Sequence, residues 1–178
     1  MIAPSMNLLN AIAKRQAVAA IGASAARGQG ASGVVTAIRE ALCRVPLATF
    51  GVDDEARFVR QLDRITESVR KNLPRRAASW GLARKCLNIY LRDCFYNIYL
   101  NNHFELAKAE SFFEVPLDSV VAKGLKSRRG RGELPRWPGV KNLKPTVSNE
   151  FQKAALDLSR TWGISRVHLD TYLWVEGR

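Results

Sequence analysis

Cysteine is scarce in this chain and poorly placed for bonding. The 178 residues hold three, Cys43, Cys86 and Cys94, with no CxxC spacing. An odd, dispersed set argues against a disulfide framework, a zinc site or an iron–sulfur cluster, and for reduced thiols. No metal and no cofactor are therefore expected. Long apolar runs are also missing: none approaches the roughly 18 residues of a membrane span. Strand-like alternation and internal repeats are absent as well. Acid is lacking at the start, where no Asp or Glu precedes Glu40. Lys14, Arg15, Arg27 and Arg39 stand there among many Ala, Gly and Ser. That composition resembles an organelle transit peptide, whereas Lys14-Arg15 interrupts the apolar runs a secretory signal needs. A mobile or helical segment over residues 1–33 is the favoured reading.

Positive charge is what the chain has in excess. Lys and Arg number 28 against 16 Asp and Glu, for a net charge of +12. Such an excess favours a polyanionic partner, above all nucleic acid. Charge alone does not separate an enzyme from an inert RNA-bound protein. Hydrophobic content of 47% suits a soluble globule with a real core, built as one domain or two small lobes.

Periodicity reads as all-α. Asn7–Ala20 fits a short helix, and residues 22–33, rich in Gly, Ala and Ser, a flexible connection. Val34–Cys43 resumes a helical pattern. Asp53-Asp54 can cap a helix whose Phe58, Leu62, Ile65 and Val69 form an amphipathic stripe. Pro74 ends that helix, and residues 71–85 form a basic hairpin. A second helix is expected from about Ala83 to Leu100, with Leu87, Tyr90, Leu91, Cys94, Ile98 and Tyr99 buried and Asn101-Asn102 as its stop. Phe104–Ala109 suggests another short helix. Pro116 opens a turn and Asp118 sits at an N-cap position. Residues 123–144 read as a basic exposed loop. Val147–Thr161 fits a helix, Gly163 breaks it, and Val167–Trp174 fits a last one. Residues 34–178 would be one helical domain.

Several residues in this frame can carry chemistry. A hairpin entering a helix presents backbone N–H groups to a DNA phosphate; Gly81 allows close approach, and Arg75, Arg76 and Arg84 add countercharge. An ordinary helical corner with a solvated basic surface has the same sequence. Lys85 follows. A partly buried lysine can be neutral enough to attack C1′ of a deoxynucleotide, displacing the base and leaving a Schiff base that can eliminate and nick the strand. Most lysines near a helix start are simply solvated. Asp118 would stabilise positive charge on the sugar or help deprotonate the amine, and would also be a structural cap. It lies 33 residues from Lys85, so only tertiary folding brings the two together. Asp170 and Trp174 share a helical face, where an acceptor and a flat aromatic can read a flipped base. The plain alternative is Trp174 in the core and Asp170 at the surface. Lys123, Lys126, Arg128, Arg129 and Arg131 would hold the DNA backbone.

These segments together resemble the helix–hairpin–helix DNA glycosylase superfamily, and more narrowly its archaeal 8-oxoguanine glycosylase branch. Three motifs carry the resemblance over roughly residues 53–178. They are Gly81 with Lys85, Pro116-Leu117-Asp118-Ser119-Val120-Val121-Ala122, and His168-Leu169-Asp170 with Trp174. The resemblance implies Lys85 as Schiff-base nucleophile, Asp118 as catalytic carboxylate, and Asp170 and Trp174 in the base pocket. Where the family has an aromatic four residues after the lysine, this chain has Ile89. An isoleucine cannot stack as that aromatic does, so the excised base would be 8-oxoguanine or, in a wider or altered pocket, another base such as a bulkier modified one. The expected protein is a DNA N-glycosylase with an associated lyase activity on duplex DNA bearing a damaged or modified base. It would be monomeric, cytoplasmic and nucleoid-associated. Two alternatives stand beside it: a non-catalytic nucleic-acid-binding module, and a defence glycosylase attacking hypermodified bases, such as glucosylated hydroxymethylcytosine, in foreign DNA.

Overall fold

Helix α3 (Glu55–Lys71) shows how this sequence makes its architecture. Asp54 caps it, accepting a hydrogen bond from the Arg57 N–H at 2.7 Å, and Glu55 lies in its first turn, where the helix dipole favours acid. Its stripe of Phe58, Leu62, Ile65 and Val69 is buried. The stripe packs mainly on α4 (Trp80–Tyr96), which runs through the middle of the molecule. The computed structural model describes residues 4–22, 24–26, 28, 32–130 and 132–176. Among them the chain is all-helical, without a strand.

Around α4 lie α1 (Met6–Ala20), α2 (Val34–Leu42) and α5 (Ile98–Phe104). Leu9, Ala17 and Ile21 are fully buried, so α1 shares the core of the helices that follow. The connection expected over residues 22–33 lies partly outside the described residues, Arg27 included. Its Ala26 is nevertheless buried in that core. After Glu105, which takes a left-handed φ of 54°, a 3₁₀ segment (Leu106–Phe112) returns the chain toward α3.

The buried apolar side chains form two clusters. One runs from Leu9 to Phe113 and includes Val167. The other holds Val115, Leu117 and residues of α6 (Ser119–Arg128), α7 (Pro145–Trp162) and α8 (Leu169–Glu176). Glu114 falls at the seam. Gly163, with a φ of 65°, ends α7 as expected.

Four expectations need correction. The helix entered through the hairpin begins at Trp80, and it ends at Asn97 instead of Asn101-Asn102. Asn97 closes α4 and caps α5, accepting from the Tyr99 and Leu100 N–H groups. That break turns Ile98 and Tyr99 outward, and they are exposed where burial was expected. The basic stretch 123–144 is not all loop: Lys123, Lys126 and Arg128 ride on α6. Gly81 is interior to α4, and a Cβ there would lie 2.2 Å from the Val140 carbonyl oxygen. The close approach Gly81 allows is therefore that of the chain's own 140–143 segment, not of a DNA phosphate.

Candidate active site

Lys85 and Asp118 meet. Lys85 Nζ lies 3.8 Å from Asp118 Oδ2, with the two side chains 10% and 22% exposed. One element of each apolar cluster supplies a partner: α4 carries the lysine and the start of α6 the carboxylate. Asp118 divides its oxygens. Oδ1 accepts from the Val120 and Val121 N–H groups at 2.9 and 3.0 Å, which fixes the carboxylate as the N-cap of α6. Oδ2 is left facing the amine. Lys85 Nζ also donates to the Ala25 carbonyl at 3.4 Å, a long contact that brings the N-terminal connection to the site.

Along α4, Lys85, Ile89 and Arg92 follow at i, i+4 and i+7, hence on one face over two turns. Ile89 is half-buried. Arg92 forms an ion pair with Asp170 at the start of α8 and also bonds Asp93 Oδ1 through Nε and Nη2. Asp170 is therefore not a surface carboxylate: it is buried and already engaged by a guanidinium. Trp174 stands one turn further along α8 and is 41% exposed, not a core side chain. Arg92 was missed as a site residue. Its spacing of seven from Lys85 was the available signal, but nothing in the sequence named its partner.

Arg84 does not belong to a DNA-binding surface. It is buried, and its Nε and Nη2 fork onto the two carboxylate oxygens of Glu114 at 2.8 and 2.9 Å. Its Nη1 reaches Asp63 and Thr66, both at 2.9 Å, and its guanidinium lies over the Trp80 ring. Burial pushes the Glu114 carboxyl up, but Arg84, Asn88 and Arg166 outweigh it and hold the group below the ordinary glutamate value. Consecutive residues of one helix thus point to different tasks: Arg84 ties α3 and α4 to the seam, while Lys85 faces Asp118.

The remaining basic candidates separate into two groups. Arg75 and Arg76, in a 3₁₀ turn before α4, are exposed and make no ion pair among the described residues, and so does Lys123. The others are engaged within the chain. Lys126 donates to the Pro135 carbonyl at 3.1 Å. Arg128 pairs with Glu176 and lies over Trp162; Arg129 pairs with Asp157 and sits 3.8 Å from Glu133. Their charge is partly neutralised there, so a dedicated phosphate grip by Arg128 and Arg129 is not what the structure presents. Arg131 lies outside the described residues. An open hollow of about 370 Å³ borders Lys126, Arg129 and Leu134, away from the Lys85–Asp118 pair.

No family model, no curated protein and no solved structure matches this chain. Among the described residues no helix is long and apolar enough to cross a membrane.

Proposed function

We propose that this chain is a DNA glycosylase of the helix–hairpin–helix kind that acts through Lys85 and carries an associated lyase activity. The observation behind this reading is the Lys85–Asp118 pair, largely buried and built from residues 33 apart at the meeting of two apolar clusters. A surface lysine making an incidental contact needs no such arrangement. In the proposed reaction the Lys85 amine forms a bond to C1′ of a flipped nucleotide. The C1′–N bond breaks, and its electron pair leaves with the base. Asp118 Oδ2 balances the positive charge that grows on the sugar, takes the proton that the attacking nitrogen loses, and passes it to the ring oxygen O4′ as the ring opens to the iminium, while the departing base takes a proton from water. Loss of the proton at C2′ then expels the 3′ phosphate and nicks the strand. Flipping costs a few kcal/mol, least for a damaged or mispaired base.

The face bearing Ile89, Arg92, Asp170 and Trp174 would receive the base. Ile89 supports apolar contact without stacking, which favours a bulkier base than 8-oxoguanine. A hypermodified base of foreign DNA is one such substrate. A purely binding function is the second reading, favoured by Arg75 and Arg76, which are exposed and make no ion pair among the described residues. Borohydride trapping separates them. The duplexes would carry 8-oxoguanine, uracil, hypoxanthine, alkylated bases or glucosylated hydroxymethylcytosine. A covalent band lost in Lys85→Gln, with DNA binding retained, supports the glycosylase. Binding without a band or an alkali-labile site on any duplex supports the binding module.

A further inference from the structure

Asp118 reaches Lys85 at the end of an extended segment, Phe113 to Leu117, that lies outside every helix. Among the described residues, Glu114 to Leu117 make no backbone–backbone hydrogen bond. Yet Val115 and Leu117 are buried, and buried peptide groups need partners. Those of Val115 are met by a side chain. Gln152, on α7 and 4% exposed, clasps Val115 from both sides. The Val115 N–H donates to Gln152 Oε1 at 3.1 Å, and Gln152 Nε2 donates to the Val115 carbonyl at 2.8 Å. The amide thus does for Val115 what a neighbouring strand would do. Arg166 Nε and Nη2 donate to the Phe113 and Phe112 carbonyls, each at 3.0 Å. Arg84 and Asn88 hold the Glu114 carboxylate.

Beyond the clasp the chain has little freedom before Asp118. Pro116 fixes its own φ and restricts Val115 to extended backbone, and Leu117 is buried. We propose that Gln152 is a positioning residue for the reaction: it fixes the strap that delivers Asp118 Oδ2 to the Lys85 amine. This rests on the glycosylase reading for its catalytic consequence, but the strap can be tested without any activity.

Two substitutions and two readouts do so. Gln152→Leu removes both bonds at similar volume. Gln152→Glu keeps them only when protonated, because the carboxyl then offers one donor and one acceptor, whereas the carboxylate offers no donor. Amide hydrogen exchange is followed on the full chain, together with borohydride trapping on an abasic duplex. In Gln152→Leu, exchange accelerates at Val115 and also at Val120 and Val121, the amides capped by Asp118, while α1 and α3 keep their protection. The trapping rate falls about 100-fold, the scale expected for a group displaced by about 1 Å, with KM unchanged. Gln152→Glu traps at the wild-type rate while its carboxyl is protonated and progressively slower, relative to wild type, as it ionises.

Faster exchange confined to Val115, or a wild-type trapping rate in Gln152→Leu, overturns the proposal. Should Gln152→Leu lose protection along its whole length, Gln152→Glu decides: exchange over 115–121 must rise relative to wild type as the carboxyl ionises, and a flat ratio overturns the strap. A wild-type chain that traps nothing while exchange still spreads from Val115 to Val121 refutes the glycosylase reading and leaves the strap standing.

Discussion

Replacing Asp118 separates the observed cap from the electrostatic role that the proposed reaction gives the same carboxylate. Asp118→Asn keeps an oxygen for the Val120 and Val121 N–H groups, and Asn is as good an N-cap as Asp. It removes the charge 3.8 Å from Lys85 Nζ. At an effective dielectric of about 20, opposite unit charges at that distance attract by about 4 kcal/mol, a ceiling that the partial exposure of Asp118 lowers. A loss of that size in the step where positive charge grows is at most about 10³-fold, and 10²- to 10³-fold is the expected decline. Asp118→Ala loses the charge and the cap together. It should match Asp118→Asn in activity yet be about 1 kcal/mol less stable. The assay is single-turnover trapping on an abasic duplex, with urea unfolding of both variants alongside. Asp118→Asn within threefold of wild type would refute the electrostatic role. A much larger activity loss in Asp118→Ala than in Asp118→Asn would make the cap, not the charge, the functional feature.

Other consequences do not depend on which base is excised. Arg84→Met should cost about 3–5 kcal/mol in unfolding free energy, because Glu114 is left buried without its principal partner. The wild-type Glu114 carboxyl titrates below its ordinary 4.5, so it contributes stability above that pH and loses it as pH falls through the lower folded value. In Arg84→Met only Asn88 and Arg166 still oppose burial, and acid neutralises the group left without its main partner. The stability gap should therefore narrow on acidification; a gap constant with pH would contradict the assignment. Arg75→Ala with Arg76→Ala should weaken binding equally across DNA sequences and reduce the slope of log K against log salt by roughly 2; an unchanged slope places the phosphate grip elsewhere. Burial raises the Cys86 and Cys94 thiols to about 12, with Lys85 opposing it at Cys86 and Tyr90 at Cys94. Native-state alkylation should label the half-exposed Cys43 first and leave the other two intact until unfolding, as peptide masses would show.

What the sequence made legible was local. The stripe from Phe58 to Val69 and the cap at Asp118 follow from spacing and residue type, and both stand in the structure. The meeting of Lys85 with Asp118 rested on a family resemblance, and the structure brings the two within ion-pairing distance. What stayed hidden was partnership across the chain. Nothing near Arg84 distinguishes it from Lys85; Glu114, thirty residues on, takes the arginine inward. Gly81 looked free to receive a phosphate because the return of residues 140–143 over it leaves no local mark. Gln152 reads as an ordinary polar residue of an amphipathic helix until Val115 is found against it. Arg128 and Arg129 kept the appearance of free cations because Glu176 and Asp157 are distant in sequence.

The most direct measurement is the identity of the residue that reacts. An abasic duplex removes the question of which base is excised. The wild-type chain would be trapped on it with borohydride, digested, and the adduct located by peptide mass spectrometry. An adduct on Lys85, abolished in Lys85→Gln while that variant still binds the duplex, is the expected result. An adduct on another amine, or none at all on a chain that binds the duplex, would contradict Lys85 as the nucleophile.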